Sequence, residues 1–254
     1  MNIVIPLVGE GRRFKEEGYL DPKPLIKIFN KPILQHSVES LGITNANYIF
    51  IIREYDNKDW NDRLQNLIYT INPNARIISS KILTKGAAES VLLAKKYIDN
   101  DSQLIVTNCD QYINWNIGEL DNFVNTINQP DCDALVTTYN HIDPNTIIPF
   151  SKTPYSFIET NEFGYGINFS EKIAISKLML NGIHFWKQGN TFVKSAEDII
   201  KKNITYNGEF YVSLTFNELL PQYKIKYFQM TDTSFYSLGT PKDLEEFISK
   251  RIIC

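Results

Sequence analysis

Residues 2–8, Asn2-Ile3-Val4-Ile5-Pro6-Leu7-Val8, form an apolar run with neither the alternation of a half-exposed strand nor the length of an amphipathic helix. Such a run is stable only as a strand covered on both faces, which restricts the chain to a layered α/β architecture. Comparable runs recur at residues 48–52, 76–78, 103–110 and 134–139. Between them, residues 32–41, 60–71, the segment ending at Tyr97 and residues 117–127 place apolar side chains at helical spacing. The alternation predicts a mostly parallel central sheet. From residue 155 to 186 the pattern changes to short strands rich in aromatic and β-branched residues. Residues 190–202 then read as a helix, residues 207–212 precede another through about 220, and residues 225–228 read as a strand. A last helix opens at Thr240-Pro241.

The loop after the first run carries the chemistry. Ligands of open α/β sheets sit beyond the carboxyl ends of the strands, and there the chain reads Gly9-Glu10-Gly11-Arg12-Arg13-Phe14-Lys15, then Pro22-Lys23-Pro24. Gly9 and Gly11 permit backbone conformations closed to other residues and let main-chain N–H groups approach a phosphate. Arg12, Arg13, Lys15 and Lys23 supply the charge that a nucleoside triphosphate requires. Pro22 and Pro24 restrict the backbone on both sides of Lys23. Phe14 stands where a dinucleotide fingerprint has its third glycine, and no Gly-Lys-Ser or Gly-Lys-Thr follows, so neither that motif nor a P-loop is present.

Two further elements stand in order behind this loop. Gly86-Ala87-Ala88, with Glu89 and Ser90, opens a helix with small side chains, where a flat base can lie against backbone. The strand from residue 103 is expected to end on Asp110, bringing a carboxylate to the same edge of the sheet. Magnesium takes hard oxygen ligands and commonly uses one or two carboxylates together with substrate phosphates. The loop at residues 140–153, with Pro144 and Pro149, is expected to cross the active-site face. His36 and His184 read as packing residues.

The strand, the G-x-G-x-R-F string, the P-K-P-L-I string at residues 22–26 and Asn30-Lys31-Pro32-Ile33 together resemble the opening of the sugar-phosphate nucleotidyltransferase family. That resemblance implies a Rossmann-like nucleotidyltransferase fold of the GT-A-like kind, with a mixed central sheet and a small β-rich acceptor-binding region. Residues 1–254 are then one unit, residues 1–139 being the nucleotide-binding part and residues 140–254 the acceptor part with the closing helix. Arg13 and Lys23 would be catalytic, gripping the triphosphate during attack at its α-phosphorus. Leu7, Gly9, Gly11, Arg12, Gly86, Ala87 and Ala88 would bind the nucleotide, and Asp110 would hold Mg²⁺. Glu171-Lys172 resembles the family's E-K segment, and Asn181-Gly182 the strand that follows it. With Glu209, these four would face the acceptor.

Gly239-Thr240-Pro241-Lys242-Asp243-Leu244 resembles the family's closing motif. Many relatives carry a second metal-binding aspartate two residues before that glycine. This chain has Ser237 there, and Asp232 is the nearest acid upstream. The implied partners are a pyrimidine triphosphate (CTP, UTP or dTTP) and a phosphorylated small molecule, usually a sugar 1-phosphate for surface glycan synthesis. A homo-oligomer is compatible with the sequence.

Other classes are weighed against this reading. A cytidylyltransferase acting on a phosphorylated amino acid, choline or polyol is the alternative, and a non-catalytic nucleotide-sensing subunit of the same fold a second. A glycosyltransferase would need D-x-D at the end of a strand. Asn108-Cys109-Asp110 lacks the first acid, and Asp131-Cys132-Asp133 precedes a strand. A formal charge of −3 gives no overall attraction to nucleic acid or anionic membrane. Cys109, Cys132 and Cys254 stand at no metal-ligand spacing and are too few for a disulfide framework. With no leader or membrane-length apolar run, a cytoplasmic protein is expected.

Overall fold

A computed structural model describes residues 1–140, 150–231 and 234–252. Nine strands form the main sheet: β1 (Asn2–Leu7), β2 (Asn47–Arg53), β3 (Arg76–Ser80), β4 (Leu104–Thr107), β5 (Ala134–Asn140), β6 (Lys152–Thr160), β7 (Gly166–Ile173), β8 (Leu178–Trp186) and β9 (Ile225–Gln229). The helices are α1 (Arg12–Glu16), α2 (Ile33–Ser40), α3 (Lys58–Ile71), α4 (Ala87–Leu92), α5 (Lys95–Ile98), α6 (Glu119–Ile127), α7 (Gly189–Lys201) and α8 (Pro241–Ile252).

β1 lies between β2 and β4, parallel to both, and β3 continues the parallel set beyond β2. Period-two alternation along β1 sends Ile3, Ile5 and Leu7 to one face, where they meet α2, α3 and α6. Val4 goes to the other, toward α4 and α7. Both faces are therefore dry, as the unbroken apolar run requires. β8 makes the sheet mixed. Its Ile183–Trp186 end pairs antiparallel with β4, Met179 pairs with Phe157 of β6, and its other edge carries β5. β9 adds to β5 in parallel, and β7 adds to β6 antiparallel. The β-rich segment thus extends the first sheet rather than forming a second one.

Several boundaries differ from the sequence reading. Pro32 precedes α2 in extended geometry instead of occupying its first turn. The helix expected to reach Tyr97 breaks into α4 and α5, because Leu93 N, Ala94 N and Tyr97 N bond three residues back and tighten the chain. α6 starts only at Glu119, since Gly118 takes a left-handed φ of 75°. The expected helix after Val212 is a 3₁₀ turn, Ser213–Leu219. β4 ends at Thr107, so Asp110 lies in the connection beyond it. It is held there by Leu238 N donating to Asp110 O (2.8 Å) and by Asn108 N donating to Gly182 O (3.2 Å). Most of the loop expected across the active-site face, and Asp232 and Cys254, lie outside the described residues.

Candidate functional site

The chain leaves β1 and turns at Gly11, whose φ of 63° is left-handed and where a Cβ would sit 3.3 Å from Lys23 Cβ. Gly9 is different. Its backbone is ordinary and a Cβ there would touch nothing, so its contribution is open space and not conformational freedom. Phe14 is 1% exposed in a cluster with Ile26, Ile28, Leu244 and Phe247, tying the loop to the Pro22-Lys23-Pro24 segment and to α8. Arg13 is exposed and has no hydrogen-bond or ion-pair partner among the described residues. Arg12 points outward and pairs with Glu10 at 3.2 Å.

Lys23 Nζ donates to Asp110 Oδ2 and, at 3.2 Å, to the carbonyl of Gly239. Burial disfavours its charge, but the adjoining carboxylate outweighs burial and holds the pKa above the ordinary lysine value. The first loop, the end of the β4 connection and the start of α8 are thereby joined at one ammonium.

Gly86 has φ 119°, and a Cβ there would lie 2.5 Å from the carbonyl oxygen of Phe210. Phe210 N donates to Lys85 O at 2.6 Å, and Ala88 N to Phe210 O at 3.1 Å. The glycine is thus required by the close approach of residue 210 as well as by any ligand. Ala88 is corrected: it is fully buried in the core and its N–H is already used. Gly86 and Ala87 line the cavity, with Thr84 and Ser90.

Across the cleft, Lys172 sits at a register irregularity of β7 with φ 59°. Lys172 Nζ donates to Tyr211 Oη at 2.5 Å, and Tyr211 Oη donates to Glu209 Oε2 at 2.6 Å. Glu209 is expected beside Lys172, but it lines the wall that carries Arg12, Thr84 and Gly86, with Tyr211 between it and Lys172. Asn181 lines the same wall as Lys172, and its amide accepts from Thr137 Oγ1 and donates to Met230 Sδ at 2.8 Å. Gly182, at φ 89°, leaves the space that Asn108 fills, a Cβ there falling 2.0 Å from Asn108 Nδ2. His184 packs against Trp186 and Phe216, and burial pulls its pKa down to about 4.

These residues enclose two adjoining chambers. One, of about 590 Å³, is lined by Leu7, Gly9, Gly11, Arg12, Gly86 and Glu209 among others. The second, of about 580 Å³, is lined by Glu171, Lys172, Asn181 and Gly182, by Tyr139 and Tyr155, and by α8. Arg13, Lys23, Ala87, Asn108, Asp110 and Tyr211 border both. Asn108, Gln111, Tyr211, Asp243 and Glu246 were not foreseen as site residues. Asn108 and Gln111 flank Asp110, and Tyr211 lies two residues after Glu209, but nothing local marked them. The described residues contain no group of three or more His, Cys, Asp or Glu arranged around a metal. A single carboxylate facing both chambers suits Mg²⁺, which completes its shell with phosphate and water. Ser237 Oγ donates to Asp243 Oδ2 at 2.9 Å. A side chain on Gly239 would approach Asp110 Oδ2 at 3.4 Å and Asp243 Oδ2 at 3.5 Å, so both carboxylates face one point.

A family model described as nucleotidyl transferase matches residues 4–251. The bifunctional protein GlmU of Methanocaldococcus jannaschii is 30% identical over 105 residues, 41% of this chain and 24% of that protein. The matched stretches amount to about a quarter to a third of the length of the curated relatives. The nucleoside-diphosphate-sugar pyrophosphorylase from Vibrio cholerae RC9 has a TM-score of 0.78 at 20% identity, covering 97% of this chain and 99% of that one. The CTP:phosphocholine cytidylyltransferase from Streptococcus pneumoniae has a TM-score of 0.71 at 14% identity, covering 98% of each chain. At these identities the likeness establishes the fold. No helix among the described residues is long and apolar enough to cross a membrane.

Proposed function

Because the chain belongs to the nucleotidyl transferase family, we propose that it transfers a nucleotidyl group from a pyrimidine triphosphate to the phosphate of a small molecule. The observation that carries this reading is the meeting of two chambers at Arg13, Lys23 and Asp110. A phosphate oxygen of the acceptor attacks the α-phosphorus in line and forms a new P–O bond. The bond from the α-phosphorus to the bridging oxygen of the β-phosphate breaks, and its electron pair leaves with pyrophosphate. The attacking phosphate is already ionised near neutral pH, so no protein nucleophile and no general base is needed.

The residues then work by alignment and charge. Lys23 uses two of its N–H donors on Asp110 and Gly239 and keeps one for the triphosphate. Arg13, with no hydrogen-bond or ion-pair partner among the described residues, can fork onto phosphate oxygens. Lys172, steadied by Tyr211, meets the acceptor's phosphate. Mg²⁺, held by Asp110, would neutralise charge at the α-phosphate. Gly86 and Ala87 leave a flat surface against which a pyrimidine base fits.

The test is pyrophosphate release with Mg²⁺ and each of CTP, UTP, dTTP, ATP and GTP, against sugar 1-phosphates and small phosphorylated alcohols and amino acids. Release that needs one pyrimidine triphosphate and one acceptor together supports the proposal. Release with purines alone would overturn its nucleotide half, and no release from nucleotide-binding protein would overturn the transfer itself.

A further inference from the structure

Three carboxylates line the chamber that carries Gly9, Gly11 and Gly86, and two of them are already paired. Glu10 meets Arg12 at 3.2 Å, and Asp110 meets Lys23. Glu209 has no cationic partner among the described residues. Its Oε2 accepts from Tyr211 Oη at 2.6 Å, and its Oε1 is left unbonded.

The backbone fixes where this carboxylate stands. Phe210 N donates to Lys85 O and Ala88 N to Phe210 O, so residues 209–211 run beside the turn at Gly86. Phe210 is buried in the core, and alternation along extended chain turns Glu209 and Tyr211 to the other side, into the cleft. Tyr211 borders both chambers, together with Arg13, Lys23 and Asp110, whereas Glu209 borders only the one with Thr84 and Gly86. Glu209 thus stands between the surface assigned to the base and the cations assigned to the phosphates.

A nucleotide with its base on Gly86 and Ala87 and its phosphates at Arg13 and Lys23 passes its sugar in front of Glu209. A carboxylate without a counter-charge repels phosphate and is best satisfied by uncharged donors. The hydroxyls of Thr84 and Ser90 are engaged with each other, and Ser90 Oγ also donates to Gly86 O at 3.1 Å. The charged acceptor on this wall is therefore Glu209, and the ribose hydroxyls are the donors that reach it.

Resting on the transfer reading above, we infer that Glu209 binds the ribose hydroxyls of the triphosphate and makes the chain selective for a ribonucleotide, CTP or UTP, over a deoxynucleotide. The bond from Tyr211 holds one carboxylate oxygen and leaves the other for the sugar.

The experiment measures pyrophosphate release with Mg²⁺ across the acceptor panel above. CTP is set against its 2′-deoxy and 3′-deoxy forms, and UTP against the same two forms of its own. The ribonucleotide is expected to exceed each deoxy form roughly tenfold in kcat/KM, in line with a hydrogen bond to a charged group. The ratios are expected to fall toward one in Glu209→Ala and to survive in part in Glu209→Gln, which keeps an acceptor. Glu209 is exposed, so neither substitution disturbs the core. Equal use of ribo and deoxy forms by the wild-type chain would overturn the inference and leave the transfer reading standing. So would ratios unchanged in Glu209→Ala with a raised acceptor KM, which would confine Glu209 to steadying Tyr211. Loss of a CTP-over-UTP preference in that variant, with the sugar ratios unchanged, would assign the carboxylate to the base and overturn the inference equally. No pyrophosphate from any triphosphate and acceptor would overturn both readings.

Discussion

The two chambers are built from different parts of the chain. The chamber proposed for the nucleotide is shaped by backbone: a strand end, a left-handed Gly11, and Gly86 pressed against the main chain of Phe210. The chamber proposed for the acceptor is shaped by side chains that come from β6, β7, β8, the segment around Tyr211 and α8. A wall of backbone offers the same N–H groups and flat surfaces whatever its neighbours, as a triphosphate and base require. A wall of side chains can be revised residue by residue, so one fold can serve several acceptors.

This contrast orders the expected effects. The junction belongs to both halves, and its loss should cost most. Lys23→Ala and Asp110→Ala are each expected to lower kcat about 10²–10³-fold, or roughly 3–4 kcal/mol, as for other preorganised electrostatic groups. Near-normal turnover in both would remove the junction from the mechanism.

Next come the backbone positions. Gly86→Ala places a Cβ within 2.5 Å of a main-chain oxygen at positive φ, and about 1–3 kcal/mol of stability should be lost, read as a lower urea midpoint. Gly9→Ala meets open space at ordinary φ and should leave that midpoint unchanged while hindering the nucleotide. Equal midpoints for the two variants would erase the distinction between a glycine needed by the fold and one needed by the ligand.

Tyr211→Phe removes the hydroxyl that holds Lys172 and links it to Glu209. The expected effect is a rise of roughly tenfold in acceptor KM, in line with one hydrogen bond to a charged group, with a smaller change in nucleotide KM. Equal changes in both would mean that Tyr211 serves the cleft as a whole.

The smallest effect concerns Glu171. Burial raises its pKa, and the hydroxyls of Ser156 and Ser213 only partly compensate. A carboxyl with a raised folded-state pKa costs stability once pH exceeds the unfolded value, and the cost is complete above the folded value. Glu171→Gln should therefore stabilise the protein at neutral pH, do nothing at acid pH, and weaken the acceptor. Stabilisation at both pH values would point to packing instead.

The contrast also explains what the sequence made legible. Gly11, Lys23, Gly86 and Asp110 could be named as candidates because glycines and prolines leave local marks and an apolar run announces the strand before Asp110. The parallel part of the sheet followed from apolar runs needing cover on both faces, whereas its mixed character was implied only by the family resemblance. Ala88 misled because a small side chain at a helix start looks alike whether it faces a base or the core. Glu209 was expected beside Lys172, and nothing in the sequence shows that the Tyr211 hydroxyl stands between the two. Gln111, Asp243 and Glu246 were missed for a different reason. They become neighbours only when the connection after β4 meets α8, a contact between segments over a hundred residues apart in sequence.

The central claim is direct transfer between the two chambers, with no enzyme-bound nucleotidyl group. It is tested most directly by a single-turnover measurement with excess enzyme, Mg²⁺ and α-labelled triphosphate, with and without acceptor. The account predicts pyrophosphate and labelled conjugate appearing together, only when acceptor is present, with no label on protein. A stoichiometric burst of pyrophosphate without acceptor, leaving label on the chain, would contradict it.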